Sequence, residues 1–326
     1  MISLLHKTGN IMKRFITLII ASALVMTAGS TLLAQVDNKL QNGKTLKRGG
    51  AKRFHTEQQM VDLKASGKVK NDIIDEEIFE KMRAAVGDPQ GRTTAEIIID
   101  AAKYLLGTPY VAGTLEQQPE RLIINLHQTD CILFAESCLG FAITIKSKNP
   151  TFSHFREVIK RLRYRDGIIN GYTSRIHYTS EWMSQAFENG YLTDMSKVLC
   201  NAVAPNRFAY MSRNPDKYKQ LKNSTNNVEK IRSIEQRLNG EVFYYIPKER
   251  VESILPQLRS GDIVGFNTTT EGIDISHVGI IYVENNRVGF IHASYTEKKV
   301  VIEKRTLLEY INSFSTNNGI RIARPN

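Results

Sequence analysis

The sequence has no hydrophobic run long enough to cross a bilayer. Its most apolar stretch, Phe15 to Gly29, covers about 15 residues, whereas a spanning helix needs roughly 20. Met12-Lys13-Arg14 precedes the stretch, and small residues fall at Ala28 and Ala34. This order is that of an export signal, expected over residues 1–34 and cleaved, which predicts a periplasmic or secreted protein with no stable membrane insertion. An uncleaved N-terminal anchor is the alternative, and length argues against it. No cysteine follows the run, which argues against a lipid anchor.

Cysteine is scarce: Cys131, Cys138 and Cys200 only. An odd number in an exported chain leaves at least one thiol unpaired. Cys131 and Cys138 lie on one expected helix, about 10 Å apart along its axis, beyond disulfide reach. The chain also lacks C-x-x-C, H-E-x-x-H and any carboxylate at a metal-ligand offset, so no metal site and no cofactor is expected. Internal repeats and nucleic-acid modules are absent too. The net charge of +11 is spread along the chain rather than bunched, which favours small acidic substrates over nucleic acid. With 41% hydrophobic and 24% charged residues, the composition is that of a folded globular protein.

Residues 35–56 are polar and basic and are expected to be a linker. Residues 57–326 are expected to be one domain. Its first part, 57–106, shows helical spacing through Met60, Leu63, Ile73, Ile74, Ile78, Met82, Ile97, Ile98, Ala101, Ala102 and Leu105. A helix opens at Asp130 and is expected to end near Gly140. Further helices are expected within an insertion of about 145–250, over Phe155–Leu162, Thr179–Asn189 and Val228–Leu238. From Gly261 the period changes to two, giving strands at Asp262–Phe266, His277–Val283, Arg287–Ser294, Lys299–Glu303 and Gly319–Ala323. Helices first and an antiparallel meander afterwards predict an α+β domain.

Cys131 follows an Asp that caps a helix. There it meets free backbone N–H groups and the positive end of the helix dipole, which is expected to favour the thiolate and to offer an oxyanion site. Cys138 and Cys200, lacking such a position, read as structural. If Asn285-Asn286 is a two-residue turn, Glu284 pairs with Arg287, and counting back puts His292 opposite Gly279 and His277 opposite Ser294. His277 and His292 are then diagonal neighbours on one face, as a base and its orienting partner must be. The loop histidines His55, His127 and His154 carry no such pattern.

Gly107-Thr108-Pro109-Tyr110, Thr129-Asp130-Cys131, Ser276-His277-Val278-Gly279-Ile280 and Ile291-His292-Ala293-Ser294 together resemble the NlpC/P60 superfamily of papain-like cell-wall cysteine hydrolases. Longer strings resemble its DUF1460 group of N-acetylmuramoyl-L-alanine amidase-like proteins: 107–116, 125–136, 175–182 and the closing 319–325. The resemblance covers about residues 90–325. It implies a papain-like core, with the Cys at a helix start packed on an antiparallel sheet that carries the histidines. It also implies Cys131 as nucleophile, His277 as base and His292 as third member. Tyr110, Asp130 and Ser276 are expected to bind substrate, Tyr110 from beside the thiol, where the alternative is a packed aromatic after the turn. Arg175, His177, Tyr178 and Trp182 are expected either to line a substrate wall, with Trp182 stacked on a sugar, or to be core and loop residues. The implied reaction is hydrolysis of the amide between N-acetylmuramic acid and L-alanine in peptidoglycan fragments, in cell-wall turnover or recycling. A γ-D-glutamyl-diaminopimelate endopeptidase and a non-catalytic muropeptide-binding protein are the alternatives.

Overall fold

The computed structural model describes residues 70–205 and 207–326. The expected export signal, the linker and the helical spacing at Met60 and Leu63 lie outside the described residues. Chain contacts divide between Ile73 and Ile74, and Ile74–Asn326 forms one unit. The helices are α1 (Lys70–Val86), α2 (Thr94–Tyr104), α3 (Cys131–Ile145), α4 (Phe152–Arg163), α5 (Thr179–Glu188), α6 (Met195–Leu199), α7 (Tyr210–Arg213), α8 (Thr225–Asn239), α9 (Val251–Ile254) and α10 (Leu307–Asn312). The strands are β1 (Leu192–Asp194), β2 (Ala202–Val203), β3 (Tyr244–Pro247), β4 (Ile263–Thr268), β5 (Ile275–Glu284), β6 (Arg287–Ser294), β7 (Lys299–Ile302) and β8 (Asn317–Pro325).

Local chemistry sets these boundaries. Thr93 and Glu96 form a reciprocal capping box that starts α2. Asp130 caps α3, accepting from the Leu133 N–H at 3.0 Å. Helix α3 is apolar on nearly every side, with Leu133, Phe134, Leu139, Phe141 and Ile145 buried, so it runs through the centre rather than along the surface. It continues past Gly140, where a stop was expected. That glycine is a packing device: a Cβ there would sit 2.6 Å from Ile159 Cδ1 on α4.

One antiparallel sheet of eight strands supports the site, in the order β2-β3-β8-β4-β5-β6-β7, with β1 also pairing with β8. Strands β4 to β7 form the expected meander. β8 does not continue it: α10 carries the chain back, and β8 pairs with β4 instead. The outer edge of β7 is already occupied, because Gly107 and Tyr110 donate to the Val300 and Lys298 carbonyls at 2.9 Å each. Covering an edge strand in this way blocks pairing with foreign chains, and here it also fixes Tyr110 beside α3. Strands β1 to β3 fall in the segment expected to be helical, where they are too short to show a period.

One face of the sheet packs under α2, α3, α4 and α5, around Ile98, Phe134, Leu139, Trp182, Val278 and Ile280. The opposite face carries Val264, Phe266, Phe290 and Ile320 beneath Tyr310 and Ile311 of α10. The inserted segment has a small core of its own, made by Tyr172, Tyr178, Phe208, Leu221, Ile231, Leu238 and Phe243.

Candidate active site

Cys131 is the first residue of α3 and is half-buried. The backbone N–H groups of Val278, Ile132 and Cys131 lie close enough to stabilise a charge on its sulfur. Burial nonetheless dominates and, with the Asp130 charge beside it, pushes the thiol up to about 12. Loss of water and the neighbouring carboxylate thus oppose the thiolate that the helix start was expected to favour. Burial also raises Asp130, to about 6, against the hydrogen bond it accepts from Leu133.

The turn at Asn285-Asn286 has positive φ at both residues, 50° and 61°, the geometry of a two-residue hairpin turn. Glu284 pairs with Arg287 and Ile280 with Ile291. Gly279 faces His292, and a Cβ on it would lie 3.5 Å from His292 Cβ. His277 and His292 therefore share a face, and His277 Nε2 lies 2.6 Å from His292 Nδ1. His292 Nε2 in turn lies 3.5 Å from Glu303 Oε2, and Glu303 receives Arg305 Nε and Nη2 at 3.0 Å each. Burial disfavours the Glu303 anion, but hydrogen bonds from His292 and Arg305 prevail and hold it well below the usual carboxylate range.

This arrangement favours one set of tautomers. The Glu303 charge, 3.5 Å from His292 Nε2, favours a proton on that nitrogen, an arrangement in which His292 Nδ1 accepts and His277 Nε2 donates. In that arrangement the remaining nitrogen of His277, Nδ1, carries a lone pair. Burial, followed by the neighbouring His292, holds His277 well below the ordinary histidine range, with Glu303 pulling the other way. Both shifts favour the neutral forms, a thiol at Cys131 and an imidazole at His277.

The flanking residues divide. Tyr110 packs edge-on against Tyr295, with ring centroids 5.5 Å apart. Burial, then the nearby Cys131 and Asp130, keeps its phenol protonated. Ser276 is exposed at a bulge and donates to the Phe266 carbonyl at 3.2 Å. The expected substrate wall does not form as an open surface. Trp182 is 3% exposed and donates to Glu136 at 3.3 Å, which leaves no ring face for a sugar. Tyr178 is buried and donates to Glu235 at 2.6 Å. Arg175, buried over the Tyr172 ring, pairs with Glu116 at 2.8 Å and Glu120 at 3.2 Å. The His177 ring lies tilted against Tyr172, centroids 4.5 Å apart, and contacts its carbonyl at 3.1 Å. Burial, then Arg175 and Arg165, keeps it neutral. Only Trp182 of these four lies on α5. The other three precede that helix, so helical spacing does not align them.

A family model of N-acetylmuramoyl-L-alanine amidase-like proteins matches residues 100–320. The chain belongs to this family. An N-acetylmuramoyl-L-alanine amidase from Bacteroides uniformis ATCC 8492 is similar at 36% identity and a TM-score of 0.68, over 72% of this chain and 99% of that one. A protein from Bacteroides fragilis described as a putative xylanase is similar at 37% identity and a TM-score of 0.66, over 69% and 99%. A DUF1460 protein from Legionella pneumophila str. Philadelphia 1, 22% identical over 78% and 97%, shares the fold with a TM-score of 0.58. Among curated proteins, none matches.

Glu303, Arg305, Tyr310 and Tyr295 of this amidase-like chain were not singled out from sequence. Two signals for them were present. The β6–β7 register sets His292 opposite Val301, so Glu303, two residues on, shares the histidine's face. The Thr306/Glu309 capping box starts α10, which brings Tyr310 to 6.2 Å from the His277 ring and 6.0 Å from His292. Among the described residues, no cluster of His, Cys, Asp and Glu is arranged to hold a metal ion, and no helix is long and apolar enough to cross a membrane.

Proposed function

We propose that this protein is a cysteine amidase that cleaves the bond between N-acetylmuramic acid and L-alanine in peptidoglycan fragments, using a papain-like core of the NlpC/P60 type. The observation that carries the reading is the alignment of Glu303, His292 and His277, with His277 on the strand whose Val278 N–H borders the Cys131 sulfur. The amidase-like family supplies the substrate class. We assign the whole of 57–326 to one catalytic domain, exported by the segment at 1–34 to the periplasm or medium, where such fragments occur.

The reaction starts from the neutral pair. His277 Nδ1 takes the thiol proton as Sγ attacks the lactyl carbonyl, and the N–H groups at the start of α3 face the developing oxyanion. His277 then gives that proton to the leaving L-alanine nitrogen, the C–N bond breaks, and a thioester remains. Water, deprotonated by the same nitrogen, releases the sugar acid and restores the thiol. Glu303 keeps the imidazoles oriented throughout.

The test is to incubate the purified protein with defined muropeptides and weigh the products. A free peptide beginning with L-alanine, together with the sugar acid, is the expected result. A dipeptide still bearing the sugar would identify a γ-D-glutamyl-diaminopimelate endopeptidase, and undiminished turnover by Cys131→Ala would overturn the mechanism.

A further inference from the structure

The closing string of the chain runs along β8 and contains an arginine that the amidase reading does not use. Strand β8 has two neighbours on one side: β1 pairs with it from Ala323 to Pro325, and β3 pairs at Gly319 and Ile320. Arg321 and Ile322 lie in the gap between them, where the Ser196 hydroxyl takes the Ile322 N–H at 2.8 Å. A cavity of about 250 Å³ opens at this gap. Arg321 and Tyr244 line it, with Asp194 and Lys197 at the start of α6, Ser184 and Phe187 on α5, and the exposed Val242. None of its lining residues belongs to the Cys131–His277–His292 cluster.

Arg321 is 4% exposed, yet its Nε and Nη2 have no hydrogen-bond partner among the described residues. Its guanidinium rests over the Phe243 ring, 4.8 Å from the centroid. The charges of two nearby carboxylates, Asp274 and Asp194, act on Arg321, but neither accepts a hydrogen bond from it. Asp274 accepts from the Ser180 N–H at 2.7 Å and from its hydroxyl, and Asp194 caps α6 by accepting from the Lys197 N–H at 3.2 Å. A buried cation with free donors is costly unless something pairs with it, and a guanidinium fork matches a carboxylate. The volume is below the roughly 300 Å³ at which ordinary ligand pockets begin, so the occupant is small.

We propose that this cavity is a second binding site, for the carboxylate of an amino acid or of a short peptide's end, held by Arg321 with Lys197 at the mouth. The apolar wall of Phe187, Val242 and Phe243 would take the adjoining side chain. This inference stands apart from the amidase reading and survives if that reading fails.

Titration calorimetry on the full chain tests it, with N-acetyl-alanine, its methyl ester and inorganic phosphate as probes. Saturable binding of N-acetyl-alanine is expected, at least tenfold weaker for the ester, unchanged in Cys131→Ala, and at least tenfold weaker in Arg321→Gln. Binding lost in Cys131→Ala would place the ligand at the thiol and overturn the proposal. Equal binding by the ester, binding of phosphate alone, or no binding would overturn it as well. If circular dichroism shows Arg321→Gln unfolded, Lys197→Gln at the exposed rim decides: weaker binding supports the site, and unchanged binding sinks it.

Discussion

Two polar regions of this molecule look alike in sequence and differ in what their hydrogen bonds leave over. In the strip formed by β5, β6 and β7, Glu303, His292 and His277 align in sequence, and His277 Nδ1 has no hydrogen-bond partner among the described residues. In the segment from Arg175 to Trp182, the side chains turn to internal carboxylates, Glu116 and Glu120 for Arg175, Glu235 for Tyr178 and Glu136 for Trp182, although Arg175 Nε and one oxygen each of Glu116 and Glu120 make no hydrogen bond among the described residues. A closed network rigidifies. An open-ended one can exchange a proton with something outside it.

The largest effect that bears on this contrast is at the thiol. Cys131→Ala is expected to abolish muropeptide hydrolysis, and His277→Ala to lower kcat by about 10²- to 10⁴-fold, both with melting temperatures near wild type. A large fall in stability instead would place these residues with the closed networks.

Trp182→Ala is expected to cost about 3–5 kcal/mol in urea unfolding, as a large buried ring is lost, while KM is unchanged in the folded fraction. A raised KM at undiminished stability would restore the sugar-stacking role. Arg163→Met, which strips Glu136 of a buried partner on α4, is expected to cost a similar 3–5 kcal/mol and to leave the pH profile in place.

Glu303→Gln tests the open network by a smaller effect, a fall in kcat of roughly 10- to 100-fold, the range for a partner that acts through another ligand or base, with KM unmoved. The sign of its pH effect follows from the charges. Glu303 raises the pKa of His277, so removing its charge lowers that pKa, and the acid limb of kcat/KM moves to lower pH. In the wild type that limb already lies below the ordinary histidine value of about 6.5. A shift to higher pH would refute the relay.

The smallest effect concerns Asp130. Asp130→Asn keeps the helix cap and removes a charge that raises the Cys131 thiol, so alkylation by iodoacetamide at neutral pH is expected to become several-fold faster. Unchanged alkylation would mean that burial alone sets the thiol.

The sequence by itself determined the parts that depend on local rules. Alternation and the Asn-Asn turn specify the β5–β6 register, and with it the meeting of His277 and His292, because a two-residue turn permits one pairing. The Asp130 cap locates the start of α3 and therefore Cys131. What only the tertiary structure decided depends on long-range contacts. The return of β8 to β4, the closure of Arg175 on Glu116 some 59 residues away and the burial of Trp182 against Glu136 across 46 residues leave no periodic trace. The protonation of Cys131 belongs to the same class. The helix start supplies favourable N–H groups, while partial burial beside Val278 and the Asp130 charge, both set by packing, push the thiol the other way.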